Sequence, residues 1–428
     1  MISLTLLVLI NKRKGYIMIF QFVVPKYMKN FKCIASACPD SCCVGWRVTL
    51  DEKTFKLYKE SKNSTLKSEF EKYIKKNRSN QSSQNFGKIV MQKDGRCPFL
   101  DEQNLCKIQK LHGEEYLSNT CYFYPRTINL VNDVFEMSAT LSCPVVAKSV
   151  LLEKGGIDFD IINLDISPRF IVNRVIDQND IRTRNSIKRY FWDIRTFCIN
   201  LLKTREISFW DRLLILGFFI QKLNELFSSS ERKDEVKILI DTYTRYIESG
   251  YFTEELSKVP VNYELQLKLS KEIADMRFSA GLPNQKYLDF FAKFLQGLGI
   301  VQGAENAQIL QNYENAFNQY FVPFFNERQY IFENYAVNHV FKNLFPFDCN
   351  TPFESYMLLC THLATIKLLL VGLCNYFKSD FTEDIAVNLI QSFSKTIEHN
   401  TAYLANLLQI LEKNNVNTLA YMAILIRG

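Results

Sequence analysis

Cysteine is the residue whose number and spacing in this sequence could do chemistry. Cys33, Cys38, Cys42 and Cys43 fall within eleven residues with the spacing C-x4-C-x3-C-C, and Cys97, Cys106, Cys121 and Cys143 follow. Eight of the twelve cysteines therefore lie in roughly the first third of the chain, with His112 the only histidine among them. Disulfides staple small secreted domains, whereas 428 residues can bury a core without them. Zinc takes four thiolates, usually from two close pairs. An iron-sulfur cluster is also held by thiolates and tolerates more varied spacing, because its irons occupy a larger body. The irregular spacing here favours a [4Fe-4S] cluster, with zinc as the alternative. Adjacent side chains in an extended segment point to opposite sides, so Cys42 and Cys43 are poorly placed to serve one ion. Eight thiols allow one cluster with spare cysteines or two four-thiolate sites, and spacing does not choose between them.

The segments around these thiols are loop-like. Pro98 and Pro144 each follow a cysteine directly and bias it towards extended backbone, which holds a thiolate in place without a helix. Arg126 is expected to cap a helix or pair with a carboxylate, or else to offset thiolate charge. Lys53 to Arg78 reads as one basic helix with nine Lys or Arg, a solvated face or a docking face for an acidic partner. Ser79 to Asn85 reads as a loop. At the start, the charges Lys12, Arg13 and Lys14 follow the apolar run Met1 to Ile10, the inverse of a signal peptide, and Ile19 to Lys26 reads as a strand. The first 17 residues are set aside, and the cysteine-rich metal region is placed at 18–156.

From 157 to 428 the pattern becomes helical. Only 15 Gly and 11 Pro punctuate the chain, 47% of residues are hydrophobic and 23% charged. These values fit a globular protein of mainly α class, a loop-rich cysteine region followed by an irregular helical domain. Helical segments are expected at Ile207–Phe227, 287–295, 324–345, 358–374, 385–397 and 401–411. The apolar middle of the first is far too short to span a bilayer. Cys198, Cys349, Cys360 and Cys374 are dispersed among these segments and read as packing residues. The net charge of +7 is mild, without an arginine-rich tract or aromatic RNA-binding signature. Neither nucleic acid nor membrane is expected as a partner, and the location expected is the cytoplasm.

Taken together, Pro25-Lys26-Tyr27, Phe31-Lys32-Cys33, Cys38-Pro39-Asp40-Ser41-Cys42-Cys43-Val44-Gly45-Trp46, Asp51, Cys97-Pro98-Phe99-Leu100, Cys106, Cys121, Tyr124-Pro125-Arg126 and Ser142-Cys143-Pro144 resemble the flagellin lysine-N-methylases. The likeness resumes at Glu333-Asn334-Tyr335, Val337-Asn338, 341–347 and Glu398-His399-Asn400. The resemblance implies methyl transfer from S-adenosylmethionine to ε-amines of flagellin lysines, by an enzyme carrying a cysteine-bound cluster. The wider superfamily is described as zinc- or iron-chelating.

A lysine methylase must present a neutral amine to the sulfonium methyl, although lysine is protonated at neutral pH. Hydroxyl, carboxylate or amide oxygens around the amine could orient it or accept its proton. Glu333, Asn334, Tyr335 and Asn338 are the candidates. Asn334 and Asn338 share one helical face and form either a polar ledge or cross-links to neighbouring helices. His399 reads as an interior or capping histidine. No Gly-rich strand-to-helix loop of the Rossmann kind is present, and Gly297-Leu298-Gly299 is a poor candidate for one. Two other classes fit the cysteines: a non-enzymatic iron-sulfur or zinc-binding interaction protein, and a redox sensor using Cys42 and Cys43.

Overall fold

The structure, a computed structural model, describes residues 8–12, 15–79, 81–165, 171–229, 232–258, 261–276 and 284–427. Part of the apolar run Met1 to Ile10, with Arg13 and Lys14, lies outside these residues. Mainly helical, as its composition predicts, the chain carries two sheets, of which the sequence pattern signalled one strand, Ile19 to Lys26, observed as Gly15–Pro25. The strands are β1 (Val8–Lys12), β2 (Gly15–Pro25), β3 (Thr49–Leu50), β4 (Ile74–Lys76), β5 (Gly87–Ile89), β6 (Arg126–Val131), β7 (Val134–Ala139), β8 (Phe159–Asp165) and β9 (Val172–Ile176).

The larger sheet is organised on β2, which pairs antiparallel with β1 and β8 and parallel with β7. Phe20, Phe22 and Val24 alternate along it into the core. Strands β6 and β7 form a hairpin through Asn132-Asp133, both at positive φ, a turn whose twist matches the flanking strands. Strand β9 runs parallel to β6. Residues on both sides of position 156 thus build one sheet, and one apolar core runs from Phe20 to Ile426. A buried two-pronged ion pair ties sheet to helices: Arg195, in the Phe191–Lys203 helix, donates to Glu136 on β7 at 2.7 and 2.6 Å.

A second, smaller core holds the cysteine lobe together around Val48, Leu50, Tyr58, Phe70, Ile74 and Phe99. The basic segment 53–78 is not one helix. It divides into Glu52–Lys59 and Ser64–Tyr73 and ends in β4, because Asn63 accepts from the backbone N–H groups of Thr65 and Leu66 and starts a new helix.

The helical body is built around Pro352–Phe377, capped by Thr351, whose Oγ1 accepts from the Glu354 N–H at 3.1 Å. Pro352–Asp380 contains a window long and apolar enough to cross a membrane, and all of that window is buried inside the protein. The helix crosses Gln285–Leu298 at a glycine contact. A Cβ on Gly297 would lie 2.0 Å from the Gly372 carbonyl oxygen, so only glycine permits this approach. Gly299, at φ +68°, ends the same helix. Both glycines therefore have structural work that has nothing to do with a nucleotide loop. Cys198, Cys360 and Cys374 are buried packing residues as expected, and Cys349, partly buried, packs against the same core.

Candidate functional site

Backbone pairing brings the thiols of the lobe towards one another. The Cys97 N–H donates to the Cys43 carbonyl at 2.9 Å, Val44 bridges Arg96, and Leu100 bridges Cys106. Cys106 and Cys143 each cap a helix start, Lys107–His112 and Pro144–Leu151, and the Cys121 N–H donates to Ser118 Oγ. The Sγ atoms of Cys42 and Cys43 are 4.0 Å apart. The thiol of Cys38 bonds to the Asp40 carbonyl at 3.3 Å.

Their electrostatics reports the same convergence. Burial, and then the charge of neighbouring thiolates, push Cys97 up to about 11 and Cys121 up to about 12. Cys121 feels Cys106, Cys97 and Cys42. Burial likewise pushes Cys143 up to about 11, with Cys38 and Cys42 adding to the shift. Cys42 is held above the usual thiol range, first by its contact with Cys43, while Lys395 pulls the other way. Two sets of thiols meet at Cys42: Cys33, Cys38 and Cys143 on one side, Cys97, Cys106 and Cys121 on the other. Arg126 stacks its guanidinium 5.2 Å from the Phe31 ring centre and lies within reach of the charges of Cys33 and Cys143. Among the described residues, no three Cys, His, Asp or Glu side chains close to metal-ligand distances. The donor set nevertheless fits a thiolate-bound centre in kind and number, because a cation among these groups would favour the thiolate form that burial disfavours.

One carboxylate docks this lobe onto the helical body. Asp40 pairs with Lys395 at 2.5 Å and accepts from Gln391 Nε2 at 2.8 Å. The Lys395 ammonium also reaches the Ser41 carbonyl, and Gln391 reaches the Ser142 carbonyl. Gln391 lies on the Glu383–Phe393 helix, and Lys395 on the π-helical turn Ser394–Glu398 that continues it. Such single π turns recur at functional sites. The last residue of this one is Glu398.

Glu398 is the centre of a buried polar network. Its Oε1 accepts from the Tyr335 hydroxyl and from Ser394 Oγ, both at 2.8 Å, and its Oε2 accepts from Lys342 Nζ at 3.0 Å. Burial alone would raise its pKa, but the facing Lys342 ammonium more than offsets this and holds Glu398 ionised well below the usual carboxylate range. The Tyr335 hydroxyl also touches His362 Nδ1 at 3.2 Å. Burial lowers His362 to about 4 and His339 to about 3, so both imidazoles are neutral at physiological pH. Glu398, Lys342, His362, His339 and Asp348 line one cavity of about 770 Å³, within the size range of small-ligand sites.

The candidates on the Tyr330–Asn343 helix separate into different roles. Glu333 is locked between Arg205 and Arg212, each at 2.8 Å. Asn334 donates to the Glu153 carbonyl at 2.8 Å. Asn338 accepts from the Tyr27 hydroxyl at 2.6 Å and donates to the Ala139 carbonyl. The two asparagines thus cross-link this helix to the first part of the chain, and of the four candidates Tyr335 alone joins the Glu398 network. His399 contacts Ser142 Oγ at 2.9 Å, an interior partner of the expected kind. Sequence reasoning passed over Lys342, Glu398, His339, His362 and Asp348. Lys342 and Glu398 sat inside the motifs quoted for the resemblance, whereas His362 lay in an apolar stretch read as core. Its signal was the run of polar residues Thr361, His362, Thr365 and Lys367 within that stretch.

The C-terminal domain of FliB lysine N-methylase matches residues 195–425, more than half of the chain, a span that holds Tyr335, His339, Lys342, Asp348, His362 and Glu398 and none of the eight cysteines from Cys33 to Cys143. The chain belongs to the FliB lysine N-methylase family. Lysine-N-methylases of Salmonella typhimurium and Salmonella choleraesuis are each 24% identical to it over 392 residues, covering 89% of this chain and 93% of theirs. A flagellar biosynthetic protein, FliU, of Salmonella muenchen is 38% identical over 131 residues, covering 30% of this chain and 75% of its own. No solved structure matches this FliB family member.

Proposed function

We propose that this chain is a protein lysine N-methyltransferase that moves methyl groups from S-adenosylmethionine to ε-amines of flagellin lysines in the cytoplasm. Family membership supports the reaction class, and the names of the Salmonella relatives support the flagellar link. The observation that carries the reading is the buried Tyr335–Glu398–Lys342–His362 network on a cavity inside the family-matched region. In the reaction a neutral amine attacks the methyl carbon, the carbon–sulfur bond breaks with its electrons passing to sulfur, and the amine's surplus proton leaves to solvent. A low-dielectric, hydrogen-bonding pocket favours the neutral amine and orients its lone pair.

We further propose that four of Cys33, Cys38, Cys42, Cys43, Cys97, Cys106, Cys121 and Cys143 supply the thiolates for a [4Fe-4S] cluster, with zinc as the alternative ion. Such a centre, when bound, draws thiolates into one geometry and adds its binding free energy to folding. Incubating anaerobically prepared protein with methyl-labelled S-adenosylmethionine and flagellin, after iron, sulfide and zinc analysis, tests both parts. Label on flagellin lysines supports the reaction. Colourless, folded protein with stoichiometric zinc would replace the cluster by the alternative ion.

A further inference from the structure

The helices Phe191–Lys203 and Glu235–Glu248 lie side by side on the Phe209–Ser228 helix, and a groove of about 670 Å³ runs between them. Phe219 seats both, with its ring centre 4.3 Å from that of Phe197 and 5.5 Å from that of Tyr243. The two helices start together, because the Tyr190 hydroxyl donates to Asp234 at 2.6 Å just before each begins. One face of each is given to the groove. Thr196, Phe197, Asn200, Leu201 and Thr204 follow the three- and four-residue spacing of one helical side, and so do Ile240, Thr244 and Ile247. Trp192, Ile207, Ile240 and Ile247 are only partly buried there, so apolar surface stays open to solvent along this face. None of these residues lines the cavity beside Glu398.

Charge adds a second constraint. The chain carries a net charge of +7, yet among the described residues the charged groups lining this groove are Asp193, Glu206 and Glu248 alone. The cations nearest in sequence are spent in other directions. Arg195 pairs with Glu136, Lys203 with Asp158 and Arg205 with Glu333. Asp193 lies in the first turn of its helix, whereas Glu206 and Glu248 lie at the far ends of theirs. Carboxylates therefore stand at both ends of a face that, at about 1.5 Å per residue, runs about 18 Å from Trp192 to Thr204.

Two helices set side by side offer ridges and a trough that a third helix fills, and they present no free strand edge to an extended segment. We infer that this groove docks an amphipathic α-helix of a protein partner, its apolar side over Phe197, Leu201, Ile240 and Ile247 and its lysine or arginine side chains against the three carboxylates. The apolar floor supplies affinity, and the carboxylates decide which helix is accepted and in what register. Docking here does not depend on which reaction the protein catalyses.

The probe is a fluorescein-labelled peptide of about 14 residues, with leucine on one helical side and arginine on the flanks, long enough as a helix to cover the face. Arginine offers no lysine amine, so docking is read apart from methyl transfer. The anisotropy of the peptide is followed as full-length protein is added, beside an analogue with glutamate in place of every arginine. The arginine peptide should bind saturably at one site per chain, and the glutamate analogue at least about tenfold more weakly. Two variants place the binding in the groove. Glu206→Lys combined with Glu248→Lys, both at exposed positions, should reverse the preference. Thr196→Trp, which fills the groove from an exposed position, should weaken the arginine peptide at least about tenfold. Absence of saturable binding, or an affinity unchanged in both variants, overturns the docking site even in a protein that methylates flagellin. Self-association that Thr196→Trp breaks, with no peptide bound, overturns it by making a second copy of this chain the occupant. Reversed preference in a protein that transfers no methyl group sustains the docking site and removes the methyltransferase reading.

Discussion

In the lobe around Phe70 and Phe99, the chemistry-bearing groups are thiols on loops and short helix starts, several of them solvent-accessible, over a core of few residues. In the helical body they are Tyr335, His339, Lys342, His362 and Glu398, held on the inner faces of long helices within one continuous apolar core. The body positions its polar groups by packing and by partners that are already present. The lobe brings its thiols near one another on loops and short helix starts, where burial more than their mutual charge holds them in the protonated form. One part holds its groups through partners already in place, and the other is the part that the proposed thiolate-bound centre would complete. Asp40, gripping Lys395 and Gln391, is one of the contacts that join the two.

The largest expected effect separates the two regions. Removing a thiolate-bound metal withdraws binding free energy that in small zinc domains is about 10 kcal/mol or more. Amide hydrogen exchange should then rise across 44–125 and stay slow in the Phe209–Ser228 and Pro352–Phe377 helices. Equal loss of protection in both would erase the contrast.

Glu333 probes the body's own cohesion. It is 1% exposed and bridges two arginines, so Glu333→Gln leaves Arg212 buried without a counter-charge and should cost about 3–5 kcal/mol in thermal or denaturant unfolding. If Glu333 belongs to the catalytic apparatus, turnover falls in folded protein instead, while stability holds.

Acid should act on the body through its histidines. Below about pH 6.5 the unfolded chain protonates His339 and His362, whereas the folded chain keeps them neutral until about 3 and about 4. The unfolded state therefore binds more protons in this window, and stability falls as pH drops from about 6.5 towards about 4, by on the order of a few kcal/mol. A series of unfolding midpoints against pH checks this, and His339→Gln should flatten the slope. A slope unchanged in that variant would show that its burial is not what the protein titrates against.

Gly297→Ala tests packing alone. Its methyl group would strike the Gly372 carbonyl, so the helices must separate, at a cost of about 1–3 kcal/mol with cysteine reactivity in the lobe unchanged. A neutral substitution would mean that the crossing has slack.

The contrast also explains what could be read from sequence. Cysteine crowding marked the lobe because thiols at close spacing are rare without a ligand, and the long helices were legible in their apolar periodicity. Of the two sheets only β2 was, as the run Ile19 to Lys26. Strands β3, β4 and β5 have only two or three residues each, too short for an alternating pattern, and β8 and β9 pair with partners far away in sequence. The cavity was legible only in part. Tyr335 was chosen for its hydroxyl and does join the network, but Asn334 and Asn338 have the same polar spacing and are spent on backbone carbonyls and Tyr27. His362 and Glu398 lie on separate elements 36 positions apart, and only tertiary packing brings them to one hydroxyl.

The central claim is that methyl transfer to lysine depends on the Glu398 network, and Tyr335→Phe tests it most directly. The change removes one hydroxyl and keeps the ring, and its labelled-methyl transfer to flagellin can be measured beside wild type, with unfolding and metal content recorded for both. The account predicts that wild type labels flagellin lysines and that folded, metal-replete Tyr335→Phe does so at least about tenfold more slowly. Full activity in that variant, or no label from wild type, would contradict it.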